Sequence, residues 1–431
     1  MRAGTKIVLA ALSSVPFILV LSNSMLMPVL PTMQKAMRIS PFQAGLIITF
    51  FSVPAGILVP FAGILSDRVG RKKVMVPSMV VFGLGGLAAA LVASWASDPY
   101  VLILAGRFVQ GVGAAGMMQL AMALAGDIFQ TGERTKALGV LEGANGVGKV
   151  TSPIIGSLTA VVLWYAPFFV YAVLAIPAAV FVWLGVKEPR VARATKGVGS
   201  YLQEIGSLFL KKWKGLTTSL LAGFLDLFLL FGVLFFLAEI LDRRFEVSAL
   251  VRGLVLAVPV LAISVTSVIS GTYLQKKGFS KLIPTGLLVV AGALLFLPQV
   301  GRPVVFFAAV ASMGVGIGLS LSSLNTLITS SVAEEQRGII TCIYGGVRFL
   351  GAAVGPPAFG GLIKLGFVPL FWGSAAMAGV VALAGFFFID EKRLAPKIAG
   401  KAGSAEDSEE QGGDAGGHKR PGGDAVEEGD P

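Results

Sequence analysis

The segment Gly63-Ile64-Leu65-Ser66-Asp67-Arg68-Val69-Gly70-Arg71-Lys72-Lys73 joins two long apolar runs of this chain. Residues 67–73 carry one carboxylate and four cations, and glycines stand at positions 63 and 70. One interpretation of such a basic connection is that it only fixes the orientation of the membrane helices. We call this segment the basic loop.

The composition excludes an ordinary water-soluble domain. Of the 431 residues, 55% are apolar and 14% are charged, with a mean hydropathy of +0.81, whereas soluble domains keep about a quarter of their residues charged. Apolar runs of about 20 residues recur, long enough for a helix to cross about 30 Å of hydrocarbon. They are rich in Gly and Ala and lack strict alternation, which indicates helices and not barrel strands. We therefore predict an all-α membrane protein.

The apolar runs predict twelve transmembrane helices in two six-helix halves. The predicted spans are 7–30, 42–65, 74–96, 100–126, 136–162, 167–186, 216–240, 249–271, 282–299, 303–329, 338–362 and 367–389. The corresponding domains are an N-terminal half (1–186), a cytoplasmic linker (187–215), a C-terminal half (216–395) and a tail (396–431). We expect the tail to be disordered and cytoplasmic, because it has too little apolar area to bury.

The net charge of +11 does not indicate a nucleic-acid partner. Most Lys and Arg residues lie in segments that the predicted spans place on one side of the membrane. Cytoplasmic loops of membrane proteins show this bias. We therefore expect a multi-pass protein of the cytoplasmic membrane with both termini inside, and no nucleic-acid binding.

The sequence offers little for catalysis or metal binding. Cys342 is the only cysteine and His418 the only histidine, which excludes an internal disulfide and a histidine-based metal site. The sequence contains neither a Gly-rich nucleotide loop ending in Lys-Ser/Thr nor a nucleophile elbow. We expect no enzyme activity, no cofactor and no metal.

Two predicted spans of the first half carry glycine motifs. Span four contains Arg107-Phe108-Val109-Gln110-Gly111-Val112-Gly113-Ala114-Ala115, and span five has the pattern Gly139-x8-Gly148-x3-Ser152-Pro153-x2-Gly156. Such glycines let neighbouring helices approach closely. An arginine inside the membrane is costly and needs partners, so Arg107 either binds backbone carbonyls as a structural residue or takes part in coupling.

These motifs resemble those of the major facilitator superfamily. The basic loop is similar to its cytoplasmic loop motif G-x-L-x-D-R-x-G-R-K, and the span-four string is similar to R-x-x-Q-G-x-G-A-A. The span-five pattern resembles the antiporter motif G-x8-G-x3-G-P-x2-G, with Ser152 in place of one glycine. Pro28 and Pro31 resemble the first-helix signature of twelve-span drug/proton antiporters, although two prolines can also simply end a helix.

The resemblance implies a secondary exporter that exchanges protons for a small amphipathic compound or drug by alternating access. It also implies that Arg71 bridges Asp67 and Asp127 in a conformational gate, although Asp127 can equally be a solvated end residue. The residues assigned to gating are Gly63, Asp67, Arg68, Gly70, Arg71 and Asp127. Those assigned to helix packing are Arg107, Gln110, Gly111, Gly139, Gly148, Pro153 and Gly156.

The two halves show a weak internal repeat. Gly63 and Gly70 align with Gly271 and Gly278 at an offset of 208 residues. The glycine pattern of span five is echoed by Gly351-x3-Gly355-Pro356-x3-Gly360 in span eleven. A duplication of six spans relates the halves as parallel repeats about an axis along the membrane normal.

Ionisable residues inside membrane spans are functional candidates. Glu142, Asn145 and Lys149 lie within about 60° of one another at about 100° per residue, so they share one face of span five. Asp226 in span seven and Arg348 in span eleven lie at a similar depth. We predict Asp226 as the principal proton-coupling residue and Glu142 as the second, with static buried salt bridges as the alternative. The predicted cavity and substrate residues are Asn23, Asn145, Lys149 and Arg348.

A row of phenylalanines lies opposite Asp226 on span seven. Its members are Phe224, Phe228, Phe231 and Phe235. If Asp226 faces a central cavity, this row faces lipid or a neighbouring helix, and we do not assign it to a drug site.

The sequence is compatible with more than one class of substrate. The mostly apolar spans suit hydrophobic or cationic compounds, whereas Lys149 and Arg348 suit an anion. The expected partners are a small-molecule substrate, protons and the lipid bilayer, and we expect a monomer. Proton-linked or facilitative uptake of a metabolite, and a non-transporting receptor on the same scaffold, are the alternative functions.

Overall fold

The computed structural model of this protein describes residues 3–129, 131–189, 198–272, 280–332, 336–390 and 394, and most of them are helical. The α-helices are α1 (Ala3–Ser24), α2 (Leu30–Met37), α3 (Pro41–Val69), α4 (Arg71–Trp95), α5 (Tyr100–Ala114), α6 (Met118–Ile128), α7 (Thr131–Val162), α8 (Ala166–Gly185), α9 (Val198–Arg243), α10 (Ala249–Thr272), α11 (Leu282–Phe296), α12 (Pro303–Ser330), α13 (Arg337–Leu362) and α14 (Phe367–Phe388). Short 3-10 turns at Met27–Val29 and Ile363–Leu365 adjoin α2 and α13. The predicted tail (396–431) and Gly278 of the internal repeat lie outside the described residues.

The helices have the length and composition of membrane spans. Ten helical stretches of the described residues are long and apolar enough to cross a membrane, with α1–α2 and α5–α6 each counted as one stretch. The other two predicted spans correspond to α7, which carries charged residues, and to α11, which has 15 residues. Val162, Leu184 and Phe387 are 76%, 75% and 80% exposed. Large apolar side chains on the outer surface fit a lipid environment, so the predicted helical membrane fold is confirmed.

The first span is longer than predicted. We placed its end at residue 30, but the chain makes a 3-10 turn at Met27–Val29 and continues as α2 to Met37. Pro31 lies in the first turn of α2, where the N–H that proline lacks has no helical partner anyway. The prolines therefore break and restart the helix, and α2 carries polar residues toward the second half.

Two further spans are bent. Span four is divided into α5 and α6, and Met117 between them has a non-helical backbone (φ −102°, ψ −81°). Span seven is the part of α9 after a kink at Lys212 (φ −126°, ψ 23°), Lys212–Arg243, which lies within a few residues of the predicted 216–240. The part of α9 before the kink is a helix inside the predicted linker. The ammonium of Lys212 donates to the carbonyls of Ser331 and Leu394, both at 2.9 Å. These bonds fasten the kink to the second half.

Helices α1–α8 and α9–α14 form two groups that meet along two seams, α3 against α13 and α7 against α10. The α3–α13 seam is close along its length. A Cβ atom on Gly56 would lie 2.8 Å from the carbonyl oxygen of Gly346, and one on Gly63 would lie 2.8 Å from the sulfur of Cys342. Glycine is therefore needed for these backbones to approach.

The α7–α10 seam is close at one end only. A Cβ atom on Gly253 of α10 would lie 2.6 Å from the carbonyl oxygen of Pro153. Gly139 and Gly146 point within about 40° of Pro153 around α7 at about 100° per residue, yet no described atom lies within 4 Å of their Cβ positions. The two helices thus separate toward the end that carries the basic loop. We call this end the basic-loop side and the other end the opposite side.

Candidate functional site

A cavity lies between the two halves and encloses about 1100 Å³, counting space that opens to solvent. Most of its wall is apolar, and α9 and α10 contribute Leu227, Leu230, Phe231, Leu234, Val260 and Ile263. Its polar and charged residues are Ser22, Asn23, Ser24, Gln119, Glu142, Asn145, Lys149, Asn325 and Arg348. Within the described ranges, no group of three or more His, Cys, Asp or Glu side chains could hold a metal ion.

Glu142, Asn145 and Lys149 of α7 all line the cavity, in keeping with their shared helix face. Asn145 donates a hydrogen bond to Glu142 at 3.1 Å. Lys149 is half-buried and interacts electrostatically with Glu142 and with Arg348. Its ammonium forms no hydrogen bond or ion pair with any side chain or carbonyl of the described residues. Lys149 is therefore a cation that no described residue neutralises by direct contact.

Arg348 reaches the same cavity from α13. Its guanidinium lies over the ring of Tyr344, 5.3 Å from the ring centroid. Its one described hydrogen bond runs from Nη1 to Oδ1 of Asn325 and is long, at 3.5 Å. Its Nε atom is buried and has no hydrogen-bond partner among the described residues. Most of the donor capacity of Arg348 is therefore unused.

Arg107 lies in the first half, next to Asn23 of the cavity wall, and is fully buried. It donates to the carbonyl of Ile47 at 3.1 Å, to the amide oxygen of Gln110 at 2.6 Å and to the amide oxygen of Asn23 at 2.7 Å. Asn23 in turn donates to Ser52 at 2.8 Å. This neutral network satisfies the guanidinium, which favours the structural alternative for Arg107, and it orients Asn23 at the cavity wall.

Asp226 lies behind the cavity wall and does not line it. The residue is 0% exposed, and neither carboxylate oxygen has a hydrogen-bond partner among the described residues. The hydroxyl of Ser320 is close without forming a hydrogen bond, and Arg348 interacts with Asp226 only electrostatically. In this conformation, Asp226 therefore has no static buried salt bridge with another described residue.

The phenylalanine row of α9 corrects the expectation for span seven. Phe231 lines the cavity, together with its neighbours Leu227 and Leu234. Phe224 and Phe228 instead pack on α13, where Gly351 and Gly355 lie against their backbone carbonyls. The cavity is thus on the Phe231 side of α9 and not on the Asp226 side.

The basic loop is held in an ion-pair cluster. Arg71 lies between two carboxylates, with Nη2 3.8 Å from Asp67 and Nε 3.1 Å from Asp127. Asp127 is therefore an ion-pair partner as well as a helix-end residue. Gly70, between α3 and α4, has φ +120°, a conformation that residues with a Cβ atom rarely adopt.

The basic loop is also fastened to the end of span six, through contacts that sequence reasoning missed. The carboxylate of Glu188 accepts a hydrogen bond from the backbone N–H of Arg71 at the start of α4. The ammonium of Lys72 donates to the carbonyls of Trp183 at 2.7 Å and of Val186 at 2.6 Å. The acid that follows span six was the available signal, because an anion stabilises a helix N-terminus.

A polar contact between the two halves closes the opposite side. The amide of Gln34 in α2 donates to the carboxylate of Glu239 in α9 at 3.0 Å, and Glu239 also pairs with Arg243. Although Glu239 lies near the end of α9, it is only 2% exposed. Sequence reasoning missed the contact because α2 was not predicted as a helix.

Asp242 joins a second group of contacts on the opposite side. Its carboxylate pairs with Lys35 of α2 at 2.7 Å and with Arg252 of α10. Arg252 also donates to the hydroxyl of Thr32 at 2.8 Å. We name the whole inter-half network the latch, and its members are Thr32, Gln34, Lys35, Glu239, Asp242 and Arg252.

The glycines of the helix-packing motifs differ in their surroundings. A Cβ atom on Gly148 would lie 2.6 Å from Val20, and one on Gly156 or Gly111 would overlap a backbone carbonyl of α1's end or of α3. Gly139 packs against no described atom in this conformation. Along α7, the closely packed glycines Gly148 and Gly156 lie nearer the end on the opposite side, and Gly139 lies nearer the end on the basic-loop side.

Comparison with known proteins gives consistent findings. The sequence profile of the Major Facilitator Superfamily matches residues 12–356 and 220–419. The "Bacillibactin exporter" of Bacillus subtilis (strain 168) is 37% identical over 387 residues, which cover 89% of this chain and 96% of that protein. The "Multidrug transporter protein MdtP" of the same organism is 25% identical, over 73% of this chain and 68% of that protein.

Solved structures show the same fold. The human organic anion transporter MFSD10 (TETRAN) superposes with a TM-score of 0.68 at 19% identity, covering 90% of this chain and all of that one (100%). A bacterial homologue of the human lysosomal transporter Spinster, in an inward-facing and unoccupied conformation, also gives a TM-score of 0.68 at 18% identity, with 93% and 95% coverage.

Proposed function

This chain belongs to the Major Facilitator Superfamily of membrane transporters, and on that basis we propose that it exports a small amphipathic compound across the cytoplasmic membrane in exchange for protons. Family membership makes it a transporter and not an enzyme. The observation that supports export most directly is its likeness to one relative named as an exporter and to another named as a multidrug transporter. Bacillibactin, the compound in the name of one of them, is the first substrate to test.

Alternating access accounts for the arrangement of the two seams. The latch joins the halves on the opposite side, while α7 and α10 separate toward the basic-loop side. If the basic-loop side is cytoplasmic, this conformation receives substrate from inside the cell. Opening the latch and closing the α7–α10 gap would then expose the cavity to the outside.

We assign proton coupling to Asp226 first and to Glu142 second. An ionised carboxylate without a partner is costly inside a membrane protein, so the surroundings of Asp226 favour its uncharged form in this conformation. A movement that brings Arg348 into contact would favour the carboxylate and release the proton. Glu142 faces the cavity and is close to Lys149, so a proton there can respond directly to substrate.

Transport by the purified protein in proteoliposomes tests this proposal. With protein in both orientations, an interior made acidic by a pH jump should drive bacillibactin into the vesicles against its gradient. Collapse of the pH difference by a protonophore should abolish accumulation. Protein-free vesicles and vesicles with the Asp226→Asn variant are the controls.

The outcome separates the proposed function from its alternatives. Accumulation only when the interior is alkaline would indicate symport and overturn proton exchange. Equilibration of the substrate across the membrane that does not depend on the pH difference would indicate facilitated diffusion. Binding without any flux, for bacillibactin and for a panel of dyes, would favour a receptor.

A further inference from the structure

We infer that the cavity binds its substrate through an anionic group held between Lys149 and Arg348, with an apolar or aromatic part on the α9–α10 wall. The inference rests on the proposed function for the statement that this cavity is the substrate site. Lys149 comes from the first half and Arg348 from the second, so an anion between them would contact both halves at once.

The two cations lack an anionic contact partner among the residues that the structure describes. Lys149 makes no direct hydrogen bond or ion pair, and Arg348 has one long bond to Asn325 and a buried, unpaired Nε among the described residues. Their mutual electrostatic interaction is unfavourable. A cation removed from bulk water is costly without a counter-charge. A ligand anion would supply that counter-charge, and the planar guanidinium is suited to bind a carboxylate by two parallel bonds.

Neither Glu142 nor Asp226 supplies the counter-charge for the two cations by direct contact. Glu142 is the one carboxylate among the described lining residues, against two cations, so a positive charge is left in excess. Its carboxylate accepts a hydrogen bond from Asn145 and forms no ion pair with Lys149. Asp226 lies behind the wall. The cavity therefore favours a substrate with a net negative charge over a cationic one.

The rest of the cavity wall favours a substrate that also has an apolar part. Leu227, Phe231 and Leu234 of α9 and Val260 and Ile263 of α10 line the cavity and form the apolar part of its wall. Burying an apolar part of the ligand there stabilises the bound state, whereas a fully polar anion would leave this surface without a contact. An amphipathic anion that carries a ring or a hydrocarbon part uses both features.

Calorimetric binding to the purified full-length protein in lipid nanodiscs tests the inference without requiring transport. The probes are 2-naphthoate, 2-naphthamide and 2-naphthylmethylammonium, which share one ring system and differ in charge. We expect 2-naphthoate to bind at least about tenfold more tightly than the other two, since a charge-assisted hydrogen bond is about twice as strong as a neutral one. Equal affinity for the three probes, preference for the ammonium, or no naphthoate binding at millimolar concentration would each overturn the inference.

Variants locate the site. Lys149→Gln and Arg348→Gln should each weaken naphthoate binding about tenfold or more and leave naphthamide binding unchanged. Lys149→Arg keeps the charge and should retain most of the affinity. Arg348→Lys keeps the charge but loses the two parallel bonds, so its affinity should lie between those of the parent protein and Arg348→Gln. Unchanged naphthamide binding shows that a variant is folded. Lys364→Gln, an exposed cation outside the cavity, is the matched control. Wild-type naphthoate affinity in both glutamine variants would contradict the assignment.

Binding and flux measured on the same purified protein distinguish this inference from the proposed function. Naphthoate binding without pH-driven flux of any anion would contradict the exporter and leave the anion site standing. Pumping of neutral or cationic compounds, with no naphthoate binding, would support an exporter and contradict the anion site.

Discussion

Arg107 and Asp226 are both charged residue types in the membrane-spanning part of the chain, yet their surroundings differ. Arg107 is bound by one carbonyl and two amide side chains, so its charge is accommodated without a carboxylate. Asp226 has no hydrogen-bond partner in the described structure. At the scale of single residues, a buried group without a hydrogen-bond partner indicates that its partner or its protonation changes at another step of the transport cycle. A buried group whose hydrogen bonds are satisfied indicates a structural role.

The first prediction concerns Asp226. Asp226→Asn keeps the size of the side chain but cannot exchange a proton, so pH-driven accumulation should fall to the level of protein-free vesicles. Substrate binding and downhill exchange should remain, and both are measured in the same proteoliposome preparation. Asp98→Asn, which changes an exposed acid between α4 and α5, should pump like the parent protein.

Retained accumulation against a gradient in Asp226→Asn would remove Asp226 from coupling. The same measurement on Glu142→Gln would then decide whether the cavity-facing acid carries the proton. Size-exclusion profiles of both variants separate loss of coupling from loss of folding.

At the scale of elements, α7 combines a packed end and an open end in one helix. Gly156 lies against the backbone at Met25, whereas Gly139 has no described atom within 4 Å of its Cβ position. A methyl group at position 156 must push two helices apart, and at position 139 it meets empty space in this conformation.

The second prediction compares these two glycines. Gly156→Ala should destabilise the protein by about 1–3 kcal/mol, as overpacking does. Gly139→Ala should be neutral or stabilising by about 0.5–1 kcal/mol, since alanine favours a helix more than glycine does. Thermal unfolding in detergent measures both. Equal effects at the two positions would contradict the separation of α7 and α10 on the basic-loop side.

The third prediction concerns the latch, which joins α2 to α9 and α10. Asp242→Asn removes the counter-charge of both Lys35 and Arg252, and Arg252 then remains buried without a counter-charge. The conformation closed on the opposite side should lose population, by about tenfold for each 1.4 kcal/mol.

Electron spin resonance distances between labels at Ala36→Cys and Arg244→Cys, in a Cys342→Ser background, report this change. The distance distribution should shift to longer values in Asp242→Asn. Glu246→Gln alters an exposed acid at the same end of α9 and should leave the distribution unchanged. A distribution that is identical in parent and Asp242→Asn would show that the latch does not hold the closed state.

At the scale of the whole molecule, the two sides of the protein differ in charge. The basic loop and the end of α8 meet on one side through Lys72 and Val186, and the latch lies on the other. The positive-inside rule assigns the basic-loop side to the cytoplasm.

The fourth prediction is this orientation. A green fluorescent protein fused after Ser200, in the linker, should fold and fluoresce inside the cell, and a fusion after Gly301, between α11 and α12, should not. Alkaline phosphatase fused at the same two points should give the reverse pattern. Phosphatase activity at Ser200 would invert the topology and with it the direction of export.

Sequence reasoning reached the spans, the family and the shared face of α7, because these depend on local patterns. Glu142, Asn145 and Lys149 are polar residues within one predicted membrane span, so their common face is visible from spacing alone. The ion pairs of Arg71 with Asp67 and Asp127 were anticipated because a known motif prescribes them. Glu188 and the latch were not anticipated, since their partners lie far away in sequence.

The sequence by itself determined that the chain crosses a membrane many times and which loops carry the positive charge, because hydrocarbon thickness and backbone hydrogen bonding leave apolar helices of about 20 residues as the solution. Only the tertiary structure decided that Phe231, and not Asp226, faces the cavity, and that α7 and α10 touch at one end only. The physical reason is that lipid is as apolar as the protein interior. A helix such as α9 can therefore be apolar on every face, and its sequence does not show which face meets lipid, a neighbouring helix or the substrate.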